Sequence, residues 1–304
     1  MLRWSVGVVV LCLAIVGSFG WFIYSHPLKQ PAVIRVVPVP TVLLPTPITP
    51  LNPPAATDPQ APPAPPSPPT LSIGSTGTAV LALEQALATL HYLPLTFATT
   101  VSKQAEEARW TAFQSTTGDF SWRFANVPYP LQSLWQASRY TVVVQGAVMA
   151  LETHDNLTID GAAGPQVWRA ILRDVAANRI NAGAYTYVMV KKNAPEQLQL
   201  WSNGAVVYTS LANTGIAAAP TPNGTWPVYL RYASQTMEGT SPSGEHYSDA
   251  GVPWVSYFYG GDAIHGFTRA AYGYPQSLGC VELPPERAAV VFHDIDYGTL
   301  VTVE

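Results

Sequence analysis

Gly261-Asp262-Ala263-Ile264-His265-Gly266 is followed, after a short run, by Pro275-Gln276-Ser277-Leu278-Gly279-Cys280-Val281-Glu282-Leu283-Pro284. The second stretch holds the only cysteine outside the apolar N-terminus, fifteen residues after His265, with small residues beside both side chains. A thiolate is a strong nucleophile, and an imidazole within reach accepts the thiol proton. Gly279 lets the backbone approach a substrate closely and present amides to an oxyanion. Cys12 lies in the apolar N-terminal run and cannot reach Cys280, which is therefore expected to be a free thiol. The plainer reading, a buried cysteine packed as a small hydrophobe, leaves the flanking glycine and the histidine unexplained.

Strand patterns surround this stretch. Tyr185 to Val190 and Gln197 to Trp201 alternate, and Ser202-Asn203-Gly204 is a hairpin turn into Ala205 to Tyr208. Thr225 to Tyr232 and Trp254 to Tyr259 read as two more strands, Pro285 to Phe292 as a helix, and Thr299 to Val303 as a last strand. The expectation for residues 184–304 is a mostly β domain, sandwich or barrel-like, with one helix.

Working back toward the N-terminus, residues 71–178 carry a helical pattern. Val80, Leu83, Leu87 and Leu90 recur at helical spacing after Gly74 and Gly77, Val144 to Leu151 is a second apolar stretch, and Gly164-Pro165 opens a third before Val167, Trp168, Ile171 and Leu172. Three short helices around a small core are expected. Between them, Thr96 to Tyr140 is an insertion carrying Trp110, Phe113, Trp122, Phe124, Tyr129 and Trp135, most of which are expected to extend the core rather than form a sugar-binding surface.

Ahead of these regions, 16 of the 29 prolines fall in residues 27–70, which cannot form helix or sheet ladders and read as an extended spacer. Residues 1–26 contain an apolar run from Trp4 to Tyr24 behind Arg3, long enough to cross a bilayer core. A cleaved signal segment ending near Ser18 and Gly20 is the competing reading, but the run continues through Trp21, Phe22 and Ile23, which favours an uncleaved membrane helix. A net charge of −4 gives no electrostatic footprint for nucleic acid. His246 and Asp249 with His265, and Asp262 nearby, match no familiar zinc spacing and would leave the cysteine unexplained, so no metal is expected, and no cofactor either.

His265-Gly266 and Ser277-Leu278-Gly279-Cys280-Val281-Glu282, with Asn213-Thr214-Gly215 and Pro220-Thr221-Pro222-Asn223-Gly224-Thr225 ahead of them, resemble the signature of the L,D-transpeptidase catalytic domain family. Leu278 stands where that family often has His, and Glu282 where it usually has Arg or Asn. The resemblance implies a cysteine acyltransferase. Cys280 attacks the bond before the terminal D-Ala of a stem tetrapeptide, His265 is the base, and amides near Gly279 and Cys280 hold the oxyanion. Ser277 and Gly266 shape the turn, and Asp262 or the Gly266 carbonyl holds the imidazole. Tyr259, Asp262, Tyr272 and Glu282 are candidate substrate contacts, with Trp254, Tyr257 and Tyr274 nearby.

Ile73-Gly74-Ser75-Thr76-Gly77, Leu83-Glu84-Gln85-Ala86-Leu87, His91-Tyr92-Leu93 and Asp160-Gly161-Ala162-Ala163-Gly164-Pro165-Gln166-Val167-Trp168 resemble a peptidoglycan-binding domain. The apolar N-terminal run and the resemblances together imply an extracytoplasmic protein of the bacterial cell envelope, with the run expected to anchor it to the membrane as a helix. Peptidoglycan stem peptides and glycan are the partners that the resemblances imply. An L,D-carboxypeptidase using the same pair of side chains, or a wall-binding scaffold with an inactive site, are the alternatives.

Overall fold

The computed structural model describes residues 67–304. The expected membrane helix in residues 1–26, and the proline-rich spacer as far as residue 66, lie outside the described residues. No helix among those described is long and apolar enough to cross a membrane.

The helical region contains α1 (Thr78–Thr89), α2 (Lys103–Thr111), α3 (Tyr129–Ser133), α4 (Val142–His154) and α5 (Pro165–Ala176). Helices α1, α4 and α5 are the three read from the periodicity. The insertion supplies α2, α3 and a hairpin of β1 (Leu95–Ala98) with β2 (Asp119–Trp122). Ser102 caps α2 by accepting the Ala105 N–H. Of the insertion's aromatics, Trp110 is fully buried, its indole N–H donating to Gln85 Oε1 at 3.3 Å. Phe113, Trp122, Phe124 and Trp135 pack partly buried against the same core, whereas Tyr129 is exposed.

Glu84 on α1 is fully buried among these helices. Its Oε2 accepts the Ser138 N–H at 2.8 Å, and Oε1 has no partner among the described residues. Desolvation pushes its pKa up to about 8, against the pull of the Ser138 and Arg139 amides. The folded protein thus holds a proton that the unfolded chain gives up near 4.5. Its contribution to stability is complete below pH 4.5 and lost as pH rises through about 8. We expect Glu84→Gln to flatten the fall in urea midpoint between pH 5 and 8. The variant is expected to gain on the order of 3 kcal/mol relative to wild type at the upper end.

The β region holds β3 (Thr186–Lys191), β4 (Gln197–Ser202), β5 (Ala205–Leu211), β6 (Gly224–Pro227), β7 (Leu230–Thr240), β8 (His246–Tyr259), β9 (Asp262–Gly266), β10 (Val281–Leu283), α6 (Pro285–Asp294) and β11 (Leu300–Val303). One sheet runs β5-β4-β3-β11-β6 and the other β10-β9-β8-β7. Asn203 and Gly204 both have positive φ, the requirement of the two-residue turn joining β4 to β5. Thr225 to Tyr232 is not one strand, as its alternation suggests. Pro227 ends β6, the Val228 N–H turns to Thr299 O and the Tyr229 N–H to Tyr257 O, and the chain crosses to the second sheet as β7.

Val188, Val190, Leu198, Leu200, Phe258, Ile264, Val281, Leu283 and Val301 fill the space between the sheets, with Ala288 and Val291 of α6. A different apolar cluster joins the helices to the sheet, running from α1, α4 and α5 onto Tyr187, Met189, Trp201 and Leu300. Gly146 of α4 and Gly298 before β11 make this approach possible, since a Cβ on either would overlap the other's carbonyl oxygen.

Candidate active site

Strand parity decides where the reactive side chains go. Strands β9 and β10 are parallel, with Val281 opposite Ile264 and Glu282 opposite His265. Successive side chains on a strand point to opposite faces. Ile264, Val281 and Leu283 point into the core between the sheets. Ala263, His265, Cys280 and Glu282 therefore share the outer face, where His265, Cys280 and Glu282 line a cleft of about 790 Å³. The neighbouring β7–β8 hairpin of the same sheet supplies further lining, including Met237, Tyr247, Asp249, Val252 and Tyr257.

His265 is buried, and its Nδ1 lies 3.1 Å from Gly266 O. A carbonyl only accepts, so Nδ1 carries the proton and Nε2 the lone pair. Of the two groups expected to orient the imidazole, the Gly266 carbonyl performs this role and Asp262 does not bond to it. Burial lowers the His265 pKa below its ordinary value, with the Gly266 bond and Glu282 opposing. Cys280 is half-buried, its Sγ 3.8 Å from Gly261 O. Burial pushes the thiol up to about 12; the Ala263 N–H counters this, while Asp262 and Glu282 add to it. Thiol and imidazole are thus each neutral at rest.

The turn before Cys280 is fastened from several sides. Ser277 Oγ donates to Cys280 O at 2.6 Å and accepts the Gly279 N–H at 3.2 Å. The Gly279 amide is consequently spent on the turn, which removes it from the oxyanion role expected of it. Gly279 has φ +124, and a Cβ there would also overlap Asp262 Oδ1. Thr221 Oγ donates to Gly279 O at 2.7 Å and accepts the Gly215 N–H at 2.8 Å. Asn213 exchanges backbone bonds with Glu282, and buried Glu196 takes both the N–H and the hydroxyl of Thr214. The Asn-Thr-Gly and Thr-Pro elements of the sequence are thus the braces of the nucleophile turn.

The remaining expected contacts divide. Asp262 lines the cleft beside Gly279, and desolvation raises its pKa to about 6. Glu282 is buried in a bidentate pair with Arg269, both bonds 2.8 Å, so both carboxylate oxygens are engaged within the protein rather than free for substrate. Tyr272 is not on the cleft wall; its hydroxyl donates to Phe267 O and accepts the Arg269 N–H, shaping the loop beneath. Tyr259 packs against Trp226 with the rings tilted and their centroids 4.5 Å apart, and lines a different groove with Pro227 and Phe258. The register of β8 slips between Tyr257 and Tyr259, and it is Tyr257 that reaches the cleft. Arg269, Tyr247 and Asp249 are cleft residues that the sequence did not single out as substrate contacts. The opposite charges of Arg269 and Glu282, thirteen residues apart in one loop-strand run, were the only sequence signal for the pair.

Residues 185–303 match the model of the YkuD family, the L,D-transpeptidase catalytic domain. None of the curated proteins matches the chain. Among solved structures, an L,D-transpeptidase from Mycobacterium smegmatis is similar at 23% identity and TM-score 0.38, over 41% of this chain and 61% of that one. L,D-transpeptidase 3 from Mycobacterium tuberculosis is similar at 19% identity and TM-score 0.37, over 40% and 62%. The catalytic domain of the E. faecium L,D-transpeptidase is similar at 25% identity and TM-score 0.36, over 39% and 96%. The chain thus spans about three fifths of the length of the mycobacterial proteins. It is the strand-rich part of the chain, residues 185–303, that is similar to the YkuD family of L,D-transpeptidase catalytic domains.

Proposed function

We propose that this protein is a cell-wall L,D-transpeptidase that cross-links peptidoglycan through a thioester on Cys280. The observation that carries this reading is one cleft holding a thiol and a lone-pair imidazole nitrogen on the same face of β9–β10. Cys280 Sγ attacks the carbonyl preceding the terminal D-Ala of a stem tetrapeptide while His265 Nε2 takes the thiol proton. The Cys280 amide is our assignment for the oxyanion, because the neighbouring Gly279 N–H is committed to Ser277. The imidazolium then protonates the departing amine, D-Ala leaves, and the thioester remains. A side-chain amine of a second stem peptide attacks that thioester, its proton passes to His265 and on to the sulfur, and an amide between two third residues results. No step needs a cofactor or metal.

The apolar N-terminal run and proline-rich segment support a membrane-tethered enzyme acting in the cell envelope. The helical region's resemblance supports a part in holding glycan.

The test is incubation of the full-length protein with a disaccharide-tetrapeptide, followed by intact-protein and product mass spectrometry. The expected result is an adduct of donor minus D-Ala, released D-Ala and a dimeric product. Tripeptide without dimer would identify a hydrolase, and absence of any adduct would leave a scaffold.

A further inference from the structure

The steps above use Cys280, His265, Ser277 and Gly279 and leave Arg269 without a role. Among the described residues lining the cleft it is the sole lysine or arginine, in a lining that also holds Glu238, Glu245, Asp249, Asp262 and Glu282. Its guanidinium is unusually fixed for a side chain that is 31% exposed. Nε and Nη2 each donate to Glu282 at 2.8 Å, and the guanidinium carbon lies 4.5 Å from the centre of the Phe267 ring. The Tyr272 hydroxyl pins its backbone N–H. A guanidinium carries five N–H donors in a rigid plane. Glu282 takes two, and no other acceptor among the described residues takes the remaining three. One edge is thus anchored to a buried carboxylate, and the remaining donors belong to a partly exposed side chain that lines the cleft. Such an edge is preorganised for a second carboxylate.

We propose that Arg269 receives the C-terminal carboxylate of the donor peptide and so selects a terminal residue as the leaving group. This rests on the transpeptidase reading above. The choice among the donor's carboxylates follows from the strand register. Glu282 lies directly opposite His265, so Arg269 is held on the histidine side of the nucleophile. His265 delivers its proton to the departing amine. In a terminal amino acid the carboxylate is one carbon away from that nitrogen, and a group that grips it sits beside the general acid. Holding this carboxylate also explains how an open cleft with an acidic wall takes an anionic chain end.

The test compares two donors with the full-length protein: a disaccharide-tetrapeptide with a free terminal carboxylate, and the same compound as its C-terminal carboxamide. The rate of Cys280 acylation is read by intact mass. Wild type is expected to prefer the acid by about ten- to hundredfold, the value of a charge-assisted hydrogen-bonded pair. In Arg269→Gln that ratio is expected to collapse toward one, and in Arg269→Lys, which keeps the charge without the fork, to fall partway. Arg269→Gln leaves Glu282 buried without its partner, so the neutral pair Arg269→Gln/Glu282→Gln is measured beside it in case the single variant does not fold. Equal rates for acid and amide in wild type would overturn the inference while leaving the transpeptidase intact, as would an undiminished preference in the double variant. If neither donor acylates wild type although iodoacetamide still alkylates Cys280, the functional reading fails and this inference with it.

Discussion

Replacing Cys280 with Ala is expected to abolish acyl-enzyme and D-Ala release altogether, and replacing His265 with Gln to slow acylation by about 10²- to 10⁴-fold. Both are read from the rate at which the donor-minus-D-Ala adduct accumulates. The first follows because no other cysteine lies among the described residues. The second follows because burial holds the thiol pKa up to about 12, so at neutral pH almost none of it is thiolate without a base. Gln fills much of the volume of His and can donate to Gly266 O, but it takes no proton at the position of Nε2. A His265→Gln variant that acylated at the wild-type rate would mean that another group removes the thiol proton.

The same pair sets the pH dependence. The charged groups acting on His265 are Glu282 and Asp249, which raise its pKa, and Arg269, which lowers it. Asp262 and Glu282 act on Cys280. Burial prevails at His265 and keeps it unprotonated to lower pH than a free imidazole. Protonation removes the base, so the acid limb of kcat/KM for acylation is expected below the ordinary imidazole value of 6.5. That limb is expected to vanish in His265→Gln. An acid limb well above 6.5 would contradict a buried neutral imidazole.

The parts of the site that could be read from the chain are those whose signal is local. Cys280 is marked by a glycine before it and by the absence of a second usable cysteine, and His265 by Gly266 after it. Strands β3 and β4 announce themselves by alternation, and α6 by Pro285 at its first turn. What escaped depends on which segments meet. Pairing of β9 with β10 crosses the whole loop from Phe267 to Cys280, and only that register puts Glu282 opposite His265 and in reach of Arg269. The alternation of Thr225 to Tyr232 runs on across Pro227, but the break in the ladder there sends the two halves to different sheets. Tyr259 looked like a groove residue from its nearness to Asp262 in sequence; a slip in register turned it to Trp226 instead. The hairpin wall with Tyr247 and Asp249 had no local mark at all, since its role comes from the length of β7 and β8 rather than from composition.

Trp201→Ala is expected to cost about 3–5 kcal/mol of stability and to lower the helical and the sheet signals together. Trp201 stands on β4 opposite Tyr187 and is 1% exposed. Its neighbours, however, are not those of the space between the sheets. Its ring meets Phe124 edge-on at 5.6 Å and Tyr185 at 6.4 Å, and its indole N–H donates to Asn126 O at 3.1 Å. Phe124 and Asn126 come from the insertion in the helical region, so the tryptophan joins that region to the β sheet by packing and by a hydrogen bond. Truncation would open a cavity on this seam and leave the Asn126 carbonyl without its donor. Trp201→Phe keeps most of the packing and loses only the hydrogen bond, for which about 1 kcal/mol is expected. Urea unfolding of the full-length protein, followed by far-ultraviolet circular dichroism and by protection of the β3 and β4 amides, separates the outcomes. If both probes shift by the same midpoint, the cluster from α1 to Leu300 is one cooperative core, and the helices stabilise the sheet on which the cleft is built. If only the helical signal shifts, the seam is a docking contact between units that fold separately. The continuity of that buried cluster, with Gly146 and Gly298 in backbone contact beside it, argues for the first.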